Sequence, residues 1–477
     1  MSLHYERRSN EKGILSIFAN IFISFIGGGV LGLPYAFREA GVIEGSVIMA
    51  VIGFISIQAM LLIVECKYKL LEQRSQIVKN YKAHKRKPDE ESLVIDSSDI
   101  ITAKVTPLIV ECNEDKFLDC DSDEANNSTE GQQNVLKIQD LSYGDLGYFA
   151  MGRFGRMVVD SVLLISQVGF CCAYLIFICE NLSDNIHGIT LFECLAILLP
   201  PLCLLTLFRH LNSLSISSLF AQCSSLLAFA VVFWFDFQHI HLVTIHPKKI
   251  SLSGLPFFLA ISIYCYEGAG MILSLEASVV KEKRKHFKKI FIWTMMLVTA
   301  LYITFGICGY LSFGPATNPI ITLNLPKGKA LDFAIMVKSF LCLAMFFTYP
   351  VMLFPAIKVL EGYFMQEPEK TFWKGNVLRF IVVLSTGVIV IAIPNFANLM
   401  ALIGASCCTL LAFILPGLFH IIIFKGSSTF SLRAFDIFLI LVGIIGAVIG
   451  NLDAFNRLTA NDSSHSSQHG NITTILS

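Results

Sequence analysis

One acidic residue, Glu267, stands in the middle of an apolar segment that reads AISIYCYEGAGMILSLEAS. Gly268 and Gly270 follow it almost directly. An ionisable side chain at membrane depth is costly and therefore suggests a function. A carboxylate there could hold an ammonium group, bridge two pieces of a broken helix, or carry a proton, because burial favours the neutral form of an acid. The alternative is a structural acid that caps the freed backbone of a helix break.

A second unusual segment, FIGGGVLGLPYAF, lies near the start of the chain and contains Gly27, Gly28, Gly29 and Pro34. Irregular backbone at membrane depth is tolerated only where protein or a watery cavity satisfies its polar groups. Close helix packing is the alternative, since small residues let helices touch. Interruptions at matching positions in two halves of a chain favour a binding site between them.

The elements that must position these residues are membrane spans. The 477 residues are 54% hydrophobic and 15% charged, with a mean hydropathy of +0.66. A soluble chain carries roughly 25% charged residues, and the zero net charge gives no basic field for nucleic acid. Candidate spans of roughly 20 apolar residues occupy 14–37, 43–65, 158–179, 189–208, 211–235, 254–276, 289–312, 330–357, 377–394, 396–424 and 431–452.

This pattern predicts an all-α polytopic membrane protein with about eleven transmembrane helices. Spans 1–5 (14–236) and 6–10 (254–424) form two groups of five, and 431–452 is one more. An odd number of spans per repeat inverts the second copy, which predicts a 5+5 inverted repeat. Lysine and arginine concentrate in segments that are cytosolic when residues 1–13 are cytosolic. Residues 453–477 are then a luminal or extracellular tail, and its glycosylation sequons support that side.

Inversion makes the two interrupted helices cross the membrane in opposite directions, so that their free ends meet near the midplane. Half-helix N-termini offer N–H groups to an anion, and half-helix C-termini offer carbonyl groups to a cation. An amino acid is the simplest solute with both charges. We expect the three glycines of the first break to bind its carboxylate and the residues of the second to surround its ammonium group and side chain. The expected substrate-binding residues are Gly27, Gly28, Gly29, Tyr264, Glu267 and Gly268.

Other features are less informative. Residues 72–140 are hydrophilic and predict a disordered cytosolic loop within the first repeat. Lys338 lies inside a span, where it can snorkel, pair within the bundle or act in gating. The fourteen cysteines fall mostly in apolar segments, as buried cysteines do. We predict no metal site and no enzyme, since the sequence has no nucleophile–base pair, HExxH motif or phosphate loop.

Several stretches together resemble the amino acid/auxin permease family, most closely its vacuolar and lysosomal neutral amino acid transporters and its proton-coupled amino acid transporters. The stretches are NIFISFIGGGVLGLPYAFREAG, LSYGDLGYFAMGRFG, GFCCAYLIFICENL, YEGAGMILSLEA and FFTYPVMLFPA. The resemblance implies eleven helices on the fold of the bacterial leucine transporter, with a cytosolic N-terminus. It also implies amino acid symport, commonly with protons, in the membrane of an acidic organelle or the plasma membrane.

Two departures from the family concern the coupling ion. Proton-coupled animal members carry a histidine early in the first helix, where this chain has Asn20. They also have an external disulfide, whereas residues 236–253 contain no cysteine. Sodium coupling therefore stays open, because carbonyl groups at the breaks could hold a small cation.

The leading hypothesis is a monomeric secondary active transporter of small neutral amino acids, without a cofactor, driven by protons through alternating access. Glu267 is the candidate coupling residue. We favour a vacuolar or lysosomal membrane over the plasma membrane. The alternatives are sodium-coupled amino acid transport and an amino acid receptor that signals through its long cytosolic loop.

Overall fold

The computed structural model describes residues 2–85, 141–186, 188–207, 223–237 with gaps at 225, 228 and 236, 251–325, 331–365 and 372–475. Within these ranges the protein is helical and contains no strand. The helices are α1 (Ser2–Phe25), α2 (Leu33–Ala40), α3 (Val42–Lys85), α4 (Tyr143–Asn185), α5 (Leu191–Thr206), α6 (Leu255–Cys265), α7 (Ile272–Ala277), α8 (Arg284–Phe313), α9 (Leu331–Phe364), α10 (Phe372–Ala392), α11 (Phe396–Ile403), α12 (Leu415–Ile423) and α13 (Phe430–Ile475).

The first span is interrupted, as the glycine run predicts. Helix α1 ends at Phe25, a 3₁₀ turn covers Gly28–Gly32, and α2 then continues at an angle of 48° to α1. Gly27 between them is extended, with φ −116° and ψ −175°. Consecutive glycines disfavour a helix, whereas Pro34 in the first turn of α2 suits a helix start.

The sixth span is interrupted as well. Helix α6 ends at Cys265, residues 266–271 are not helical, and the short α7 follows. A close approach fixes α6 in place, because a Cβ atom on Gly404 would lie only 2.0 Å from the carbonyl oxygen of Ala260. Only glycine lets the π-helical segment Gly404–Cys408 pack so tightly against α6. Both predicted interruptions are therefore present.

Among the described residues, seven helices are long and apolar enough to cross a membrane, and there are eight spans if the bent α1–α2 pair is counted as one. Helix α5 and the segment Leu252–Cys265 are apolar but shorter. The predicted turn between the ninth and tenth spans is present, and the Asn395 side chain caps α11 by accepting the N–H of Asn398 at 2.9 Å. Most of the predicted span 211–235 lies outside the described residues, so eleven helices and a 5+5 repeat stay predictions.

Several boundaries differ from the sequence-based ones. Helix α3 continues to Lys85, so residues 72–85 are helical rather than part of the predicted loop. Their glutamate, glutamine, arginine, lysine and alanine residues favour a helix. Residues 86–140, on which the receptor alternative depends, lie outside the described part of the chain. Helix α13 likewise extends well beyond the predicted span 431–452.

A buried ion pair anchors α7, which has only six residues. The Lys67 ammonium on α3 lies 2.6 Å from the Glu276 carboxylate on α7, and neither side chain is exposed. The Tyr68 hydroxyl donates to the other carboxylate oxygen of Glu276, and Arg284 approaches that oxygen to 3.5 Å. Arg284 also donates to the carbonyl of Val279 just beyond α7. The second half of the sixth span is thus fixed to α3 and α8 by charge.

We expect Lys67→Met to lower the free energy of unfolding by about 3 kcal/mol, because it leaves the Glu276 carboxylate buried without its ammonium partner. Denaturant titration of the purified protein in detergent micelles measures this loss. Lys69→Met is the matched control on the same helix, since Lys69 pairs at 3.5 Å with the exposed Glu72. That control should lose no more than about 0.5 kcal/mol; equal losses would contradict the role of the buried pair.

Candidate functional site

A cavity of about 260 Å³ lies where the two interrupted spans meet. Its walls come from both breaks and from α4, α8 and α9. Every residue that the sequence predicts for substrate binding lines it: Gly27, Gly28, Gly29, Tyr264, Glu267 and Gly268. The fold therefore brings together two segments that are far apart in the sequence and were grouped only by their interrupted pattern.

The first break supplies hydrogen-bond donors. The first bond of its 3₁₀ turn runs from the Val30 N–H to the Gly27 carbonyl at 3.3 Å. The N–H groups of Gly28 and Gly29 precede this bond and have no carbonyl partner within the turn. A Cβ atom on Gly27 would meet nothing within 4 Å, whereas one on Gly28 would meet the end of Met345 at 3.0 Å. The backbone is therefore open to the cavity at Gly27.

The second break supplies a carboxylate. The Gly270 N–H lies 3.5 Å from Glu267 Oε1, which is at the limit of a hydrogen bond, and the Ala269 N–H is a second backbone donor beside this carboxyl group. Glu267 Oε2 is buried and has no hydrogen-bond partner among the described residues. The capping interpretation therefore accounts for the contacts with these backbone N–H groups and leaves Oε2 unexplained. An unpartnered buried oxygen in a cavity wall can accept a hydrogen bond from a donor or take up a proton.

The remaining walls are aromatic, thioether and neutral polar. Phe170 on α4 packs edge-on against Tyr264, with ring centroids 4.9 Å apart. Tyr174 and Met345 approach from α4 and α9, and Gln167 adds an amide. No lysine, arginine or histidine is among the described residues that line the cavity. The cavity can thus enclose an apolar side chain, and Glu267 carries the only carboxyl group among its described lining residues.

Tyr302 on α8 also lines the cavity and is a residue that sequence reasoning missed. Its hydroxyl lies at the carbonyl of Phe25, where α1 ends, and 3.3 Å from the carbonyl of Cys265, where α6 ends. A tyrosine within an apolar span carries no sequence signal for the backbone groups that it reaches. Only the three-dimensional arrangement identifies it.

Lys338 lies outside the cavity. Its side chain is 2% exposed, and its ammonium pairs with Asp184 at 2.8 Å, near the end of α4. This contact supports the pairing interpretation of Lys338. Asn20, at the position of the family histidine, lines a separate, smaller cavity between α1 and the segment after α7.

Sequence reasoning also missed two buried pairs of ionisable side chains. Glu361 and Arg379 approach to 2.6 Å, and His420 and Asp436 to 2.7 Å. All four residues lie near the ends of apolar segments, where a charge is usually expected to face water. The sequence therefore gives no reason to pair them.

Comparison with known proteins shows which family the sequence matches. The family model described as "Transmembrane amino acid transporter protein" matches residues 10–88 and 128–455. In Arabidopsis thaliana, "Amino acid transporter AVT3B" is 30% identical over 462 residues, which cover 92% of both chains. "Amino acid transporter AVT3C" of the same plant is 31% identical over 468 residues, covering 92% of this chain and 90% of the relative.

Two more distant matches were also found. "Vacuolar amino acid transporter 3" of Schizosaccharomyces pombe is 26% identical over 325 residues, covering 63% of this chain and 47% of that protein. Among solved structures, a Na⁺-coupled sialic acid symporter matches with a TM-score of 0.42 and 10% identity, covering 93% of this chain and 97% of that chain. The family model spans most of the present sequence, and the plant relatives span nearly all of it. The chain therefore belongs to the transmembrane amino acid transporter family, whose members are transporters and not enzymes.

Proposed function

We propose that the protein is a secondary active transporter that moves small neutral amino acids together with protons across a vacuolar or lysosomal membrane. The observation that carries this proposal is the cavity between the two breaks, with open backbone at Gly27 and an unpartnered oxygen on Glu267. The vacuolar membrane is suggested by the name of the relative from Schizosaccharomyces pombe.

The cavity supports a definite orientation of the substrate. The N–H groups of Gly28 and Gly29 stand at the start of a helical segment, where the backbone dipole favours an anion. The carboxylate of the substrate binds at these N–H groups, and the ammonium group of the substrate points to Glu267. The side chain then lies against Phe170 and Met345. Since no basic side chain is among the described lining residues, an acidic side chain on the substrate would have no partner, and this supports a neutral substrate.

Glu267 also supports proton coupling. A carboxylate that is buried without a cation is costly, so an empty, closed cavity favours its protonated form. A protonated carboxyl still has an oxygen that accepts a hydrogen bond. It can therefore contact the substrate ammonium while it carries the proton, and symport requires that both be held at once. A carboxyl that exchanged its proton for the ammonium group would instead produce antiport.

We expect Glu267→Gln to separate substrate binding from proton coupling. Glutamine keeps the shape and an acceptor oxygen but cannot titrate. Exchange of labelled amino acid across proteoliposomes at symmetrical pH should persist, whereas accumulation driven by a pH step should disappear. Glu65→Gln is the matched control, because Glu65 forms an exposed ion pair with Lys288 at 2.9 Å and does not line the cavity. Undiminished accumulation with an unchanged pH dependence in Glu267→Gln would rule out this role.

We expect Gly27→Leu to narrow the cavity without disturbing the fold. The extended backbone at Gly27 accepts any residue, and its Cβ would enter open space. The KM of larger neutral amino acids should rise more than that of alanine, as measured by competition for uptake. Gly362→Leu is the control, since a Cβ there also meets nothing within 4 Å but Gly362 does not line the cavity. Equal effects of the two variants on every substrate would contradict the proposed substrate position.

A further inference from the structure

The hydroxyl of Tyr302 joins the ends of two half-helices. It lies at the carbonyl oxygen of Phe25, the last residue of α1, and 3.3 Å from that of Cys265, the last residue of α6. Its side chain is 1% exposed. One hydroxyl proton serves both carbonyl oxygens, and the longer contact is the weaker of the two.

These two carbonyl groups belong to helix C-termini, which carry a partial negative charge of roughly half an electron each. Bringing two such ends together in a medium of low dielectric constant is unfavourable unless a positive group or a donor lies between them. In transporters with interrupted helices, carbonyl groups at half-helix C-termini commonly coordinate the coupling cation. In this protein a side-chain donor already stands at that position.

The position of Tyr302 is itself fixed by neighbouring groups. Its ring packs against that of Tyr266 with centroids 5.4 Å apart. The Tyr266 hydroxyl in turn contacts the Thr299 hydroxyl at 2.8 Å, one turn earlier on α8. Tyr266 thus supports Tyr302 but contacts neither helix end through the hydrogen bonds of its hydroxyl. Both tyrosines are buried, and their rings pack against each other. They differ in the groups that their hydroxyls contact.

We propose that Tyr302 is a positioning residue whose hydroxyl takes the place of a coupling cation between the C-terminal ends of α1 and α6. Amino acid transport by this protein then needs no sodium. The inference uses the proposed substrate site only for its location, because both helix ends border that cavity. It does not depend on the identity of the substrate or on proton coupling through Glu267.

Exchange of labelled amino acid across proteoliposomes of the full-length chain tests the proposal, with sodium or choline on both sides. The unmodified protein should exchange equally in both salts. Y302F should lower the exchange rate in choline about tenfold, as expected for loss of a hydrogen bond at charged helix ends. Sodium should restore part of that rate in Y302F, since a small cation can then reach the two carbonyl groups.

Y266F is the matched control, and it should change the rate less than twofold and show no sodium effect. Restoration by sodium is a result that a merely destabilised protein would not give. A sodium requirement in the unmodified protein overturns the proposal even if Y302F fails to fold. An equal loss in Y302F and Y266F, or a Y302F rate that sodium does not raise, also overturns it. Failure of pH-driven accumulation alone would instead remove the proposed proton coupling and leave the role of Tyr302 intact.

Discussion

The structure depends on one constraint: a backbone that leaves the helical pattern inside a membrane must find partners for its N–H and carbonyl groups. Both interrupted spans create this need beside one cavity. Some groups are satisfied within the protein, as at the carbonyls of Phe25 and Cys265 beside Tyr302. Others, such as the N–H groups of Gly28 and Gly29, have no carbonyl partner within the 3₁₀ turn and belong to residues that line the cavity. A solute can bind where backbone groups lack a partner within the protein.

This division also explains the chemistry of the cavity wall. The carbonyl groups at the C-terminal ends of α1 and α6 accept from the phenol of Tyr302 on α8, so a donor of the protein lies beside their partial negative charge. The glycines at the start of the 3₁₀ turn line the cavity, and their N–H groups have no carbonyl partner within the turn. Glu267 contributes a carboxyl group to the wall of the same cavity. The cavity thus combines polar groups at the two breaks with aromatic, thioether and neutral polar walls, which suits a small amphipathic solute.

Sequence reasoning reached the two breaks because glycine runs and a lone acid are unusual inside apolar segments. Those local signals selected six residues, and all six line one cavity in the structure. The same reasoning missed Tyr302, and it missed the pairing of Lys67 with Glu276, because both depend on contacts between residues that are distant in the chain. It also ended the second helix too early, because the extension of α3 to Lys85 has no apolar periodicity to mark it. Local composition therefore predicted the interruptions, whereas the groups that stabilise them required the structure.

Helices α1 and α7 are the two half-helices on the side of the cavity where α1 begins, and they differ in the charged contacts that hold them. Helix α7 is held by the buried pair of Lys67 and Glu276. Residues 14–25 of α1 contain no charged residue, and a cavity of about 110 Å³ separates part of α1 from α7 and the residues after it. Moving α7 away from α3 would strip a buried carboxylate of its partner, which is costly. Moving residues 14–25 of α1, whose side chains are uncharged, would break the hydrogen bond of Tyr302 to Phe25 without separating an ion pair. Displacement of α7 is therefore the more costly of the two movements, and the Tyr302 hydroxyl lies at the end of α1 that borders the cavity.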